Sequence, residues 1–140
     1  MSAEMLGMLQ KHEGFRNKIY LDHLGIETIG VGRNLRDVGL TDVEVMDLLS
    51  NDVDRCQEEL ERTFNWFSSL DQVRQEFLIQ MCFNLGLTRL RGFKKALRHM
   101  ATGAWEESAD EFLDSRWSTQ VGQRAVELTD LLRTGKYQDE

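Results

Sequence analysis

Hydrophobic residues recur at intervals of three and four along most of the chain, a spacing that predicts amphipathic helices. The first predicted helix is short, begins after the capping residue Ser2 and ends at Gly14. A capping box at Thr41–Glu44 marks the start of a long second helix. Five helices are predicted beyond Leu40, and they cover about residues 42–61, 70–85, 90–101, 105–113 and 120–133.

A different pattern interrupts the helices near the N-terminus, where two short runs are typical of strands. Lys18–Leu21 and Ile26–Val31 flank Asp22–Gly25, a stretch with Asp first and Gly last, as turns prefer. Two strands alone are only marginally stable, so the hairpin must pack against helices. The pattern predicts one α+β domain that is mostly helical. It has a hairpin lobe at about 14–40 and a helical lobe that holds about 41–140 and the N-terminal helix.

Composition favours a globular protein that is made in a reducing cytoplasm. The 140 residues suit a single domain, and the absence of proline favours uninterrupted helices. Cys56 and Cys82 fall on apolar helix faces, which predicts buried and reduced thiols. The start of the chain lacks the pattern of a signal peptide, and no stretch reaches the ~20 apolar residues of a membrane span.

Charge is unevenly distributed along the chain. The formal net charge of −7 argues against a general nucleic-acid-binding protein. One stretch nevertheless carries five cations and no acid, and we name it the basic segment: Arg89, Arg91, Lys94, Lys95 and Arg98. Two interpretations stay open for it, a solvated helix face and a patch that touches an anionic polymer or lipid.

Two carboxylates and a hydroxyl surround the predicted hairpin. Glu13 lies where the first helix ends, Asp22 where the first strand ends, and Thr28 on the returning strand. Acids that flank a hairpin are usually surface charges. The alternative is a hairpin that folds back toward the helix end and brings both carboxylates to one groove, which is the arrangement of a glycoside hydrolase. A shielded helix end suits a protonated general acid, and a polar turn suits an ionised base or stabiliser. Thr28 is then placed to hold the attacking water.

The same stretch resembles the opening signature of the phage-type lysozymes, the endolysins typified by the lysozyme of the T-even bacteriophages. The matching positions are Glu13, Gly14, Arg16, Tyr20, Asp22, Gly25, Thr28, Ile29, Gly30 and Gly32. Later segments are similar as well, namely Leu70–Arg74, Asn84–Gly86, Gly92–Phe93, Ser115–Trp117, Arg124–Ala125 and Thr134–Gly135. The resemblance therefore covers nearly the whole chain.

The resemblance implies a fold in which a long helix joins the hairpin lobe to the helical lobe, with a sugar-binding cleft between them. It implies hydrolysis, with inversion, of the β-1,4 bond between N-acetylmuramic acid and N-acetylglucosamine in peptidoglycan. Glu13 is then the general acid, while Asp22 and Thr28 position and activate the water. Arg124 matches an arginine that pairs with the catalytic glutamate, and Phe83 falls at a position that lines the cleft.

Two departures from the family pattern lie just after the hairpin. Arg33 stands where a histidine is common, and we expect it to pair with Asp52 on the long helix. Residues 34–40 leave little room for a third strand. Asn34, in the same stretch, is a candidate for contact with the sugar.

Other functions stay open at this point. A lytic transglycosylase of related fold keeps Glu13 but does not need Asp22 and Thr28. A non-catalytic module binds peptidoglycan without cutting it, and a helical regulator of nucleic acid is disfavoured by the net charge. The three histidines lack ligand spacing, so we expect no metal and no cofactor.

The resemblance also implies where and with what the protein acts. It implies a monomer whose substrate is the glycan strands of peptidoglycan. It further implies that the protein waits in the host bacterial cytoplasm until a separate holin releases it, and that it then acts in the periplasm and cell wall.

Overall fold

The structure is a computed structural model and describes residues 1–138. These residues form eight α-helices, a short 3-10 helix and a three-stranded antiparallel sheet of order β1-β2-β3, which confirms the predicted α+β class. The elements are α1 Ala3–Glu13, β1 Arg16–Leu21, β2 Glu27–Gly30, β3 Arg33–Asn34, α2 Asp42–Thr63, α3 Gln72–Leu85, α4 Leu87–Arg91, α5 Lys94–Ala101, α6 Trp105–Leu113, α7 Arg116–Val121 and α8 Gln123–Thr134. The chain divides into two compact units: the N-terminal unit is Met1–Leu48, and the C-terminal unit begins at Leu49. Within the described range, no helix has both the length and the apolar character that crossing a membrane requires.

The N-terminal unit holds α1 and the sheet, and local sequence signals position both. The Ser2 hydroxyl accepts a hydrogen bond from the Met5 amide at 3.2 Å and caps α1, which ends at Gly14. β1 pairs with β2, and the Gly25 amide closes the turn between them by donating to the Asp22 carbonyl at 2.9 Å. The predicted first helix and hairpin are therefore confirmed.

A third strand corrects the expectation that residues 34–40 leave little room for one. β3 has only two residues, and Asn34 lies opposite Thr28 of β2. The Leu35 amide extends the pairing by donating to the Glu27 carbonyl at 2.9 Å. In an antiparallel pair, two opposite residues exchange backbone hydrogen bonds directly across the strands. A strand of two residues can therefore pair with β2 and still leave room for the connection to α2.

The predicted pairing of Arg33 with Asp52 is wrong, because Arg33 binds Glu44 instead. Arg33 Nη1 lies 2.8 Å from Glu44 Oε1. Glu44 is in the first turn of α2, where its carboxylate also accepts the Thr41 amide at 2.9 Å and completes the predicted capping box. The cap orients Glu44 toward the end of β3, while the Asp52 carboxylate accepts from Arg55 at 2.9 Å.

The Glu44 carboxyl is expected to titrate with a pKa of about 2. Hydrogen bonds from the Arg33 guanidinium and then the Thr41 amide lower this pKa from an ordinary 4.5. The contribution of Glu44 to the free energy of unfolding is therefore full above pH 4.5 and is lost as the pH falls through about 2. Carbon-13 NMR of the carboxyl measures the pKa, and Arg33→Ala is expected to raise it toward 4.5. An unchanged pKa of Glu44 in Arg33→Ala would show that the ion pair between Arg33 and Glu44 does not form in solution.

The C-terminal unit is built around α3, which buries apolar side chains on several sides. Phe77, Leu78, Met81 and Cys82 are each at most 2% exposed. The rings of Phe77 and Phe112 meet edge to face, with 5.3 Å between their centroids, so α3 packs directly on α6. Burial of each large apolar side chain contributes roughly 1.5–3 kcal/mol. Other buried members of this core are Leu60, Phe67, Leu90, Met100, Trp117, Ala125 and Leu132.

Two of the predicted helices are each interrupted. The helix predicted at 90–101 is α4 and α5, which are separated at Gly92–Phe93. The first two residues of the helix predicted at 120–133 belong to the end of α7, and α8 begins only after Gly122, where φ is 61°. The Phe93 ring packs 5.0 Å from the Phe112 ring, and this contact favours a break in the helix at that point.

Arg74 joins the start of α3 to the end of α8. Its Nε and Nη2 atoms donate to the carbonyls of Leu132 at 2.7 Å and Arg133 at 2.9 Å. Carbonyls in the last turn of a helix have no partner within the helix, so Arg74 caps α8 from outside. The guanidinium also lies 4.1 Å from the centroid of the Trp105 ring, and the side chain is 13% exposed.

Cys56 on α2 and Cys82 on α3 are free, buried thiols, as predicted. Burial raises the pKa of the Cys82 thiol to about 12, and its hydrogen bond with Cys56 acts in the same direction. A buried thiol with a raised pKa stays protonated and unreactive at neutral pH.

Candidate active site

Glu13 is the last residue of α1 and lies against the exit of β2 at Gly32. A Cβ atom on Gly32 would lie 2.9 Å from Glu13 Oε2, closer than such contacts are found. Gly32 also has φ 73°, a conformation that other residues rarely adopt. The Glu13 side chain is exposed within the N-terminal unit, so the helix end alone does not shield the carboxylate from water.

The carboxylate of Asp22 is held by the backbone of the hairpin turn. Its Oδ1 atom accepts the Leu24 amide at 2.8 Å and the Ile26 amide at 3.0 Å. The bond from Ile26 is the largest cause that lowers the pKa of the Asp22 carboxyl below its ordinary 3.8, and the nearby charges of His23 and Arg36 lower it further. Asp22 is therefore ionised at neutral pH.

Thr28 on β2 is oriented by the same residue that holds Asp22. Its Oγ1 donates to the Ile26 carbonyl at 2.8 Å, and the residue is 4% exposed. The Ile26 carbonyl also accepts the Asp22 amide at 3.0 Å. The two backbone groups of Ile26 thus set the spacing between the Asp22 carboxylate and the Thr28 hydroxyl. A hydroxyl that donates in this way keeps its lone pairs available as acceptors.

Asn34 is engaged within its own turn. Its Oδ1 accepts the Asp37 amide at 2.9 Å, and its Nδ2 donates to Asp37 Oδ2 at 3.1 Å. Asn34 also lines a cavity of about 500 Å³ together with Arg33 and Glu44. The side chain therefore stabilises the connection between β3 and α2, and its contact with a sugar stays a prediction.

Phe83 and Arg124 line one cavity of the C-terminal unit. Its volume is about 250 Å³, and the remaining lining residues are Leu49, Val53, Ile79 and Gln80. Phe83 is 45% exposed, and an exposed ring at a largely apolar cavity suits contact with the apolar face of a sugar. The pairing of Glu13 with Arg124 joins residues of different units and stays a prediction.

Arg36, which the sequence pattern does not single out, lies beside the hairpin turn and binds Glu27. Arg36 Nε is 3.0 Å from Glu27 Oε2, and Arg36 Nη2 is 2.9 Å from Glu27 Oε1. The hydrogen bonds from Arg36 lower the pKa of the Glu27 carboxyl, so this carboxylate is ionised too. The two residues are nine positions apart and meet only because β3 returns along β2.

The basic segment lies on the solvent side of α4 and α5. All five of its side chains are exposed, while Ala96, Leu97 and Met100 bury the opposite face of α5. Within residues 1–138, none of the five forms an ion pair. Their ammonium and guanidinium groups are therefore exposed to solvent without a direct ion pair in the described residues.

The chain is similar in sequence to phage-type lysozymes and to one phage spike protein. The model of the Phage lysozyme family matches residues 10–133. The chain is 27% identical over 163 aligned positions to the Pre-baseplate central spike protein Gp5 of Enterobacteria phage T4, covering 96% of this chain but only 28% of that protein. It is 24% and 23% identical to Probable T4-type lysozymes 1 and 2 of Dictyostelium discoideum, covering 96% of each chain. Since the family match runs from the end of α1 through the hairpin to α8, this chain belongs to the phage lysozyme family.

Proposed function

We propose that this protein is an endolysin that hydrolyses the β-1,4 bond between N-acetylmuramic acid and N-acetylglucosamine in bacterial peptidoglycan and so lyses the host cell. The observation that carries the proposal is the hairpin, where Ile26 holds both Asp22 and Thr28 while Glu13 lies at the strand exit. The family supports the broader class, a lysozyme-like peptidoglycan hydrolase.

In this mechanism Glu13 is the general acid that protonates the leaving glycosidic oxygen. Asp22 is the ionised partner, which accepts a proton from the attacking water or stabilises the oxocarbenium-like transition state. Thr28 accepts a hydrogen bond from that water and orients it. The water attacks the face of the sugar opposite the leaving group, so the configuration at the anomeric carbon is inverted. The lowered pKa of the Asp22 carboxyl suits a role that requires a charged group at neutral pH.

Three further residues take supporting roles in the proposal. Asn34 and Phe83 contact the glycan strand, and Arg124 pairs with Glu13. The protein acts as a monomer, waits in the host cytoplasm and reaches the periplasm and cell wall when a separate holin opens the membrane.

Analysis of the products tests the reaction. Purified peptidoglycan treated with the protein is expected to yield fragments with new reducing ends. Fragments with 1,6-anhydro ends would instead identify a lytic transglycosylase, and binding without any fragments would identify a non-catalytic module. Proton NMR of a soluble substrate during cleavage tests inversion, because an inverted β-linkage first yields the α-anomer.

We further propose that the basic segment contacts anionic polymers of the cell envelope, and salt dependence tests this. Binding of the protein to isolated envelopes is expected to fall as ionic strength rises. Replacing Arg91, Lys94 and Lys95 with Gln is expected to remove most of that dependence. A control with the same charge change replaces three exposed lysines elsewhere, Lys11, Lys18 and Lys136. Equal behaviour of the two triple variants would leave the basic segment as a solvated surface.

Gly32→Ala is expected to lower activity more than tenfold, because its Cβ atom displaces the Glu13 carboxylate and small displacements of reacting groups are costly. Gly30→Ala is the matched control, since Gly30 has a similar φ of 70° but a Cβ atom there would meet no other atom within 4 Å. Both variants are expected to lose roughly 1–2 kcal/mol of stability from backbone strain. Lysis rates and melting temperatures measured together separate the two effects. If Gly32→Ala and Gly30→Ala lose lysis equally, the close approach of Gly32 to the Glu13 carboxylate does not matter for activity, and the prediction is wrong.

A further inference from the structure

Arg36 contacts the hairpin turn at two points that flank Ile26. Its guanidinium binds both oxygens of Glu27 on one side, at 3.0 and 2.9 Å. On the other side, Nη2 donates to the Gly25 carbonyl at 3.3 Å. A planar guanidinium that binds one carboxylate with two donors has a defined orientation, so these contacts restrain residues 25 and 27 together.

The residue between these two contacts carries the arrangement of the site. The Ile26 amide donates to the Asp22 carboxylate, and the Ile26 carbonyl accepts from both the Asp22 amide and the Thr28 hydroxyl. Any rotation of the peptide groups around Ile26 therefore changes the positions of Asp22 and Thr28 at once. The restraint on Gly25 and Glu27 opposes that rotation.

We infer that Arg36 is a positioning residue, which holds the backbone around Ile26 so that the Asp22 carboxylate and the Thr28 hydroxyl share one water-binding geometry. The inference rests on the proposed function for its effect on the reaction. Arg36 comes from the connection that follows β3, so this connection supplies part of the site.

The charges around Asp22 are consistent with this role. The charges of His23 and Arg36 lower the pKa of the Asp22 carboxyl. The Glu27 carboxylate is the acidic neighbour of Asp22. The Arg36 and Glu27 side chains are 52% and 42% exposed, and exposed ion pairs contribute little to stability. Loss of Arg36 is therefore expected to change the reaction more than the melting temperature.

The first experiment measures kcat and KM with soluble peptidoglycan fragments. Arg36→Ala is expected to lower kcat about tenfold with KM nearly unchanged, because the reacting groups are misplaced while sugar contacts remain. The acid limb of its pH profile is expected to move to higher pH, since a cation near Asp22 is lost. Arg36→Lys keeps the charge but not the two-donor geometry, so its kcat is expected to fall while the acid limb stays in place. Arg55→Ala, which removes another exposed ion pair, is the control and is expected to leave kcat unchanged.

Glu27→Gln weakens the contact between Arg36 and Glu27 by removing the charge of Glu27. This variant replaces Arg36→Ala in the experiment if Arg36→Ala does not fold. It is expected to lower kcat like Arg36→Ala, but without moving the acid limb upward, because the Arg36 cation is still present. Both variants are expected to lose kcat, but only Arg36→Ala is expected to move the acid limb of the pH profile upward. General destabilisation of the protein would not produce this difference between the two variants.

A second experiment does not depend on activity. Hydrogen exchange by NMR follows the Leu24 and Ile26 amides, which donate to Asp22. Arg36→Ala is expected to speed their exchange severalfold relative to amides of α3, whereas Arg55→Ala is not. A kcat within twofold of wild type, or unchanged exchange of these amides, would overturn the inference. If wild-type protein cuts no peptidoglycan, the proposed function fails, and the exchange data still decide whether Arg36 holds the turn.

Discussion

Glu13→Gln is expected to reduce lysis of permeabilised Gram-negative cells to near background while the protein stays folded. Glutamine keeps the size and most of the hydrogen-bonding capacity of glutamate but cannot deliver a proton to the leaving oxygen. General acid catalysis contributes about 10²–10⁴-fold, and this factor sets the expected loss. The melting temperature is expected to be unchanged or higher, because active-site carboxylates are placed for chemistry at a cost to stability.

Glu4→Gln is the matched control for this variant, since Glu4 is an exposed glutamate at the other end of α1. It changes the net charge equally and is expected to retain wild-type lysis. A folded Glu13→Gln protein that retains a large share of lysis would contradict the assignment. Glu27 is a poor replacement in that case, because Arg36 lowers the pKa of its carboxyl and keeps it ionised.

Arg74→Ala is expected to lower the free energy of unfolding by about 3–6 kcal/mol, the sum of two hydrogen bonds from a charged group. The variant leaves the carbonyls of Leu132 and Arg133 without their donor, and each hydrogen bond from a charged group contributes about 1.5–3 kcal/mol. It also removes the contact of the guanidinium with the Trp105 ring. Urea unfolding followed by circular dichroism measures the change.

Two other variants separate the geometry of Arg74 from its charge. Arg74→Lys keeps the cation but cannot reach both carbonyls, so it is expected to lose about half as much stability. Arg55→Ala removes an exposed ion pair and is expected to cost less than about 1 kcal/mol. If Arg74→Ala is no more destabilising than Arg55→Ala, the cap on α8 has no energetic role.

Features that depend on neighbours in the chain followed from the sequence alone. Ser2 and the Thr41–Glu44 box begin helices where predicted, because a cap needs only a side chain within a few residues of free amides. Asp22 and Gly25 form the predicted turn for the same reason. The positions of Glu13, Asp22 and Thr28 also came from the sequence, and their match to the signature of the phage-type lysozymes implied the reaction class.

Features that depend on distant contacts were decided by the tertiary structure. The sequence placed several acids on the predicted long helix, and the path of β3 into α2 put Glu44 beside Arg33 while Asp52 pairs with Arg55. The helix predicted at 90–101 is divided at Gly92–Phe93, where the Phe93 ring packs on Phe112 of α6. Arg36 meets Glu27 only through the return of β3 along β2, and hydrophobic periodicity carries no signal for a contact between two exposed charges. Local chemistry therefore determined most of the elements and the candidate acids, while the folding of the chain determined which charged groups pair with one another.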